Sequence, residues 1–242
     1  MNWRIKELDD RSIVSFSDAH SGPKLGREAT VFDLSDISYD EIYHAIKQDG
    51  HSNIAYTIEF YPEEGKYHYT GHRVCKVRQT PEETKANGTT CPVCGKPLTV
   101  GVMHRIEDLA SRSEESLEII KKGMMMYSNA FPNRPPFVML VPLQEIIAEA
   151  VGSPVTSPKV QMPYMRLTSE VGNEFDLLLR TNLDAVAKVA GTKVAEGIDR
   201  VRKGNLHIDP GYDGVFGVVK IWNDGEKGIA DSGKEQLSLL TE

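Results

Sequence analysis

Three cysteines and a histidine carry the clearest chemistry in this chain. Cys91 and Cys94 frame a Cys-Pro-Val-Cys stretch followed by Gly95, and Cys75 closes the run His72-Arg73-Val74-Cys75. Two residues separate the members of each pair, so each can wrap one tight turn around a single ion, and together they supply the corners of a tetrahedron. Backbone N–H groups in such a turn point at the thiolates. Gly95 lets the chain leave with a positive φ that a residue bearing Cβ would resist. His68 and His104 compete for the fourth place; His72 alone reproduces the two-residue gap, with His104 in reserve. Reduced core cysteines with bystander histidines are the bland alternative. A redox pair would normally open a helix, whereas residues 96–102 read as extended. With all four positions filled by protein, the expected zinc is structural and not catalytic.

A second pair of ligand types lies near the start. Residues 12–17 form a short apolar run of strand length that delivers Asp18-Ala19-His20 at its C-terminal end, where ligands bind in α/β folds. Two residues apart on an extended chain, a carboxylate and an imidazole project to one side and can grip one divalent metal. Alone, the pair reads equally as a turn with a surface histidine. Residues 37–47 read as an amphipathic helix capped by Ser38, with Ile42, Tyr43 and Ile46 as its apolar face.

The elements that must hold these groups fall into compositional blocks: 1–50 as the end of an α/β domain, 51–112 as a β-rich segment with the metal pattern, 113–222 as mostly helical, and 223–242 as a flexible tail. Residues 57–61 and 67–69 are β-prone around Glu63-Glu64-Gly65, predicting a hairpin that leads into the first knuckle. Residues 143–151 repeat apolar positions at helical spacing with Ile146, Ile147 and Ala150 on one face. Residues 177–179 and 183–201 continue in kind, with Glu196, Asp199, Arg200 and Arg202 as a solvated face. Gly211 to Gly214 predicts a tight turn before a strand over 215–222.

A composition of 40% hydrophobic and 26% charged residues is that of an ordinary globular chain, and no segment reaches membrane-spanning length. No apolar run follows a basic start, so a cytoplasmic protein without a signal peptide is expected, which fits three cysteines in a metal pattern. A net charge of −7 argues against broad nonspecific nucleic-acid binding but leaves room for a local basic groove. Arg73, Lys76, Arg78, Lys96 and Arg105 surround the ligands and could contact phosphates, or be scattered surface cations. Tyr212 could stack on a base from its glycine-rich turn.

Several long strings carry a family resemblance. Residues 17–30, with Asp18 and His20, resemble the last metal-binding motif of the PHP phosphoesterase superfamily, a distorted β/α barrel whose ligands come from successive strand ends. Residues 14–20, 57–69, 91–99, 104–110 and 210–217, in that order, resemble the C-terminal part of the endonuclease Q family, which joins a PHP nuclease domain to a zinc-binding domain and a helical region. The resemblance implies an α+β architecture: a C-terminal fragment of the PHP barrel, a zinc-ribbon-like β module and the helical region. It implies a metal-dependent DNA repair endonuclease that nicks 5′ to deaminated bases or abasic sites, with Asp18 and His20 as catalytic ligands of zinc, magnesium or manganese. A complete PHP domain opens with a His-x-His pair and adds further ligands, and none of these precedes Met1. Either the gene is truncated, or a separate N-terminal PHP chain completes the site, or this sequence is one piece of a larger protein; the expected partner is DNA, with such a PHP chain in the second case, and no membrane. The alternative is a noncatalytic zinc-containing DNA-binding or clamp-tethered accessory module.

At the C-terminus, Gln236-Leu237-Ser238-Leu239-Leu240 resembles the short clamp-binding peptide of bacterial replication and repair proteins, with Leu240 where Phe is usual. A Gln anchor and paired apolar side chains suit a preformed groove on a sliding clamp, and an incidental apolar terminus is the other reading.

Overall fold

In the computed structural model, which describes residues 1–223, the chain is a mixed α+β fold. In chain order it runs through β1 (Ala29–Asp33), α1 (Tyr39–Lys47), β2 (Asn53–Glu59), β3 (Thr70–His72), β4 (Val77–Gln79), α2 (Pro81–Asn87), α3 (Val102–Leu109), β5 (Ile119–Lys122), β6 (Met125–Ser128) and β7 (Phe137–Met139). Five helices follow, α4 (Leu143–Val151), α5 (Pro158–Glu170), α6 (Glu174–Leu179), α7 (Leu183–Ala190) and α8 (Thr192–Lys203), and then the short pair β8 (His207–Asp209) and β9 (Val218–Lys220).

The main sheet has the order β1-β2-β7-β6-β5. All its pairings are antiparallel except β2 with β7, where Ile58 lies opposite Val138. A parallel pair needs a crossover, and here the crossover is everything between β2 and β7, including both cysteine knuckles. Ile54, Thr57 and Ile58 are buried on β2, as expected of a strand with neighbours on both sides. Ile58 and Val138 then join Leu143, Ile146 and Ile147 of α4, Val160 and Leu167 of α5, Leu177 and Leu178 of α6, Val186 of α7, and Val194, Ile198 and Val201 of α8 in one core.

Trp222 closes that core. It is fully buried; its indole N–H donates to Glu196 Oε1 at 2.9 Å, and Glu149 accepts the backbone N–H groups of Ile221 and Trp222 at 2.9 and 3.1 Å. Gly197 is where α8 meets it: a Cβ there would lie 2.7 Å from Ile146 Cγ2 and 2.9 Å from the indole ring.

Several sequence expectations change in the fold. The hairpin from residues 57–61 and 67–69 is absent: β2 is taken by β1 and β7, Pro62 starts a 3₁₀ turn and has no N–H to extend a ladder, and β3 pairs with β4 instead. Residues 12–17 are not a strand. Ser15 exchanges its N–H and C=O with the Thr30 hydroxyl, at 2.8 and 2.9 Å, in place of a backbone ladder. Helix α1 has its Ser38 cap, whose hydroxyl accepts from Glu41 N, but it turns Ala45 inward and leaves Tyr43 and Ile46 exposed. The stretch 183–201 breaks at Gly191, φ 90°, into α7 and α8. Its charged face is only partly solvated: Arg202 donates to the carbonyls of Leu177, Leu178 and Thr181 at 2.8–2.9 Å, satisfying acceptors at the end of α6. Of the strand expected over 215–222, residues Val218–Lys220 form a ladder with β8, and Ile221 and Trp222 enter the core. Residues 119–139, within the stretch read as mostly helical, supply β5, β6 and β7.

The first eleven residues are fastened to the middle of the chain. Arg112 donates to both Asp9 carboxylate oxygens and to the Trp3 carbonyl, Arg134 reaches Asp9 at 3.2 Å, and Trp3 meets Phe137 edge-on. The Arg112 hydrogen bonds, joined by Arg134, hold the Asp9 carboxyl down at about 2. A carboxyl lowered on folding contributes stability that is present above its unfolded value near 3.9 and lost as pH falls through the folded one. We therefore expect Asp9→Asn to lower the melting temperature at neutral pH and to flatten the loss of stability between about pH 4 and pH 2; thermal melts across that window measure both effects.

Candidate metal centre

The two knuckles are built on separate pieces of backbone and brought together by a bridge. Strands β3 and β4 pair in the register Gly71 opposite Arg78 and His72 opposite Val77, and the 3₁₀ turn Arg73–Cys75 joins them, ending with Lys76 at φ 54°. In the second knuckle the Gly95 N–H donates to the Cys91 carbonyl at 2.9 Å and the Cys91 N–H to that of Lys96 at 2.8 Å. Gly95 stands at φ 72°, the left-handed turn its place in the sequence predicts. Gly71 and Thr99 then exchange backbone hydrogen bonds of 3.0 and 2.9 Å, setting one knuckle against the other.

One ligand atom from each of His72, Cys75, Cys91 and Cys94 lies within 4.8 Å of all the others. A tetrahedron with zinc–sulfur bonds of ~2.3 Å has edges of about 4 Å, so this spacing and a donor set of three sulfurs and one imidazole suit a metal ion such as zinc. All three cysteines are free of disulfides. Burial, then the neighbouring sulfurs of Cys94 and Cys91, pushes the Cys75 thiol up to about 11. At Cys91 burial works against the charge but is outweighed by the backbone N–H groups of Cys94 and Val93 and by the His72 ring, which bring the thiol down to about 6. Thiolates and not thiols bind a metal, so uptake of an ion by this group would release protons.

The remaining expected residues are distributed as follows. His104 lies on α3, outside the converging group; its Nδ1 is buried without a partner and its Nε2 is 3.9 Å from Asp108. His68 is buried, with Nδ1 3.0 Å from the Pro62 carbonyl. Asp18, at φ 45°, and His20 are both exposed, and His20 Nδ1 contacts the Asp18 backbone oxygen at 2.8 Å, not its carboxylate. Among the described residues, no third His, Cys, Asp or Glu converges with them. Lys76, Lys96 and Arg73 are exposed around the knuckles; Arg105 pairs with Asp108, and Arg78 with Asp209. Gln236, Leu237, Leu239 and Leu240 lie outside the described residues.

Sequence reasoning missed the contribution of the β8–β9 connection to this centre. Asp213 accepts the Arg73 N–H at 2.7 Å and the Thr99 hydroxyl, touching both knuckles. Burial opposes its charge, and those two donors more than compensate, so its carboxyl sits below the usual range. The Tyr212 ring packs on Gly71, where a Cβ would lie 2.5 Å from it, and beneath the Arg78 guanidinium. An acidic residue after a Gly-Tyr pair was the available signal, but only the fold shows what it reaches.

Fold and site define a class: an α+β protein with a Cys₃His cluster that could hold a metal ion such as zinc, set in the crossover of a mixed sheet. Residues 142–205, which hold α4 to α8, match the family described as the MJ0043 C-terminal domain. Over 222 residues the chain is 32% identical to the uncharacterized protein MJ0043 of Methanocaldococcus jannaschii, covering 89% of this chain and 26% of that protein. It is 26% identical over 221 residues to the uncharacterized protein YqxK of Bacillus subtilis, covering 91% and 49%. Among solved structures it is similar to the lesion-specific endonuclease PfuEndoQ of Pyrococcus furiosus, with 32% identity, a TM-score of 0.75, and coverage of 90% of this chain and 51% of that one. It is also similar to endonuclease Q in complex with a 27-mer duplex bearing an abasic lesion at the active site, with 32% identity, a TM-score of 0.73, and coverage of 95% and 54%. The chain is similar to endonuclease Q over about half of that enzyme's length, as the sequence strings implied.

Metal analysis of the purified chain is expected to find about one zinc per molecule, retained in Asp18→Ala/His20→Ala and lost in Cys91→Ser or Cys94→Ser, with a lower melting temperature after chelation. Zinc retained by both cysteine variants would contradict the ligand set.

Proposed function

We propose that the chain is the C-terminal part of a DNA repair endonuclease of the endonuclease Q type, which nicks 5′ to deaminated bases or abasic sites. The observation that carries this reading is the likeness, at 32% identity over 95% of this chain, to an endonuclease Q structure holding a duplex with an abasic lesion at its active site. Residues 1–50 are then the last part of a PHP barrel, 51–112 a zinc-ribbon-like module, 113–222 the helical region and 223–242 a tail. In this scheme His72, Cys75, Cys91 and Cys94 hold a structural zinc, which supplies rigidity and no chemistry. Asp18 and His20 are two ligands of the nuclease metals, whose chemistry when bound is to activate water and neutralise the scissile phosphate. They are exposed, and large apolar side chains that flank them in the sequence, Phe16 and Leu25, are exposed as well. Such side chains suit the rest of a PHP domain, supplied by another chain or by a longer form of this one.

A second reading, a noncatalytic zinc-containing DNA-binding or clamp-tethered accessory, is favoured by one observation: among the described residues, Asp18 and His20 do not converge on a third ligand. A nicking assay on uracil-containing and abasic duplexes with manganese or magnesium separates the two. The expected result is no cleavage by this chain alone, cleavage when a PHP segment carrying a His-x-His pair is added, and at least a hundredfold loss in the reconstituted enzyme on Asp18→Ala. Lesion binding that never becomes cleavage in the presence of that segment would establish the accessory role.

The tail peptide gives a separate test. Gln236→Ala/Leu239→Ala is expected to abolish pull-down of a bacterial sliding clamp while leaving DNA binding intact, and undiminished pull-down would end the clamp assignment.

A further inference from the structure

We propose that Tyr67 and Phe216, both close to the Lys66 ammonium, form a stacking edge for an unpaired nucleobase; the inference rests on the DNA-repair reading above. Tyr67 precedes β3, and Phe216 belongs to the β8–β9 connection. Phe216 is 69% exposed and Tyr67 46%, so two large rings face water. The Lys66 ammonium is 5.5 Å from the centroid of one and 5.7 Å from that of the other. Among the described residues no carboxylate pairs with it.

The placement is rigid. The Gly211 N–H donates to the Glu63 carbonyl at 2.9 Å, that of Gly217 to Glu64 at 3.0 Å and that of Gly214 to Lys66 at 2.8 Å, while Tyr69 N–H donates to the Gly211 carbonyl at 2.9 Å. A Cβ on Gly217 would come within 2.0 Å of the Glu63 carbonyl oxygen, and one on Gly211 within 2.4 Å of that of Gly65. Glycine is therefore required at both positions for the connection to lie so close to residues 63–66. The outcome of this fastening is that Phe216 is held in water beside Lys66, when the hydrophobic effect alone would turn a phenylalanine inward.

A nucleobase suits such an arrangement: every base has a π-face for the rings, and the phosphates beside it meet the cations. Arg73 adds a second cation at the same loop, its Nη1 3.3 Å from where a Cβ on Gly214 would be. A protein partner would need a broad apolar patch with charge depleted at its centre, whereas an ammonium lies 5.5 and 5.7 Å from the centroids of these rings. Tyr212, the aromatic the sequence singles out, is occupied against Gly71 and Arg78.

The test uses the full chain and fluorescein-labelled duplexes with and without one abasic site, since an abasic site leaves the opposite base unpaired. Phe216→Ala and Tyr67→Ala should each weaken binding to the abasic duplex by about fivefold or more, with little effect on the intact duplex and no change in melting temperature. Phe216→Leu should behave as Phe216→Ala, because the ring face and not apolar bulk is used. Lys66→Ala should lower the slope of log affinity against log salt by about one. If both alanine variants, or Phe216→Leu, keep the wild-type preference for the abasic duplex, the stacking edge is wrong while the DNA-repair reading stands. If the wild-type chain binds neither duplex, both fall.

Discussion

The close approach of backbone to backbone between residues 63–66 and 211–217 is the constraint on which the functional half of this molecule depends. No side chain could mediate it, because the carbonyl of Glu63 occupies the space where any Cβ on Gly217 would be. The contact joins segments on opposite sides of the helical core in the sequence, and it delivers Asp213 to the Arg73 N–H and the Thr99 hydroxyl. A short connection between two three-residue strands thereby becomes a brace across both cysteine knuckles. The same connection is anchored at its other end by Trp222, whose burial under Gly197 and whose hydrogen bonds to Glu149 and Glu196 tie it to α4 and α8. The candidate metal centre and the helical core are thus linked through this connection.

The charges follow the same division. Arg202, Glu149 and Glu196 are occupied with backbone ends and the indole in the helical region, where an unpartnered polar group would be expensive. Around the knuckles, Lys76 and Lys96 are left exposed. A chain with net charge −7 can meet a polyanion only through such local arrangement, so the distribution of cations and not their number is what matters.

Local signals in the sequence were read well where the physics is local. The Cys-x-x-Cys turn with its following glycine, the Ser38 cap and the apolar face of α4 each depend on residues within a turn or two, and each stands in the fold at its expected place. Strand pairing was not legible. Residues 57–61 carry the β-propensity of a hairpin arm, but nothing near them announces that Phe137 to Met139 will come alongside in parallel. The run at 12–17 failed for a related reason: apolar content gave it strand character, while its pairing partner turned out to be a threonine hydroxyl. Charged residues at helical spacing on α8 looked solvated because the acceptors of Arg202 belong to α6 and the residues just after it. For the candidate site, ligand types and spacing were visible in the chain, and the brace from Asp213 was not, because its partners lie more than one hundred positions away.

The parallel pairing of β2 with β7 has a kinetic consequence. Closing it brings together positions separated by the whole cysteine-bearing segment, and the entropy of closing a flexible loop rises with the logarithm of its length. Contacts of such long range slow folding, because the closure must be made before the contacts reward it. A segment already condensed around a metal ion presents its two ends as a much shorter effective loop. Metal supply during synthesis would then govern how quickly the main sheet closes and how long β2 waits with an open edge, a state that invites association with other chains.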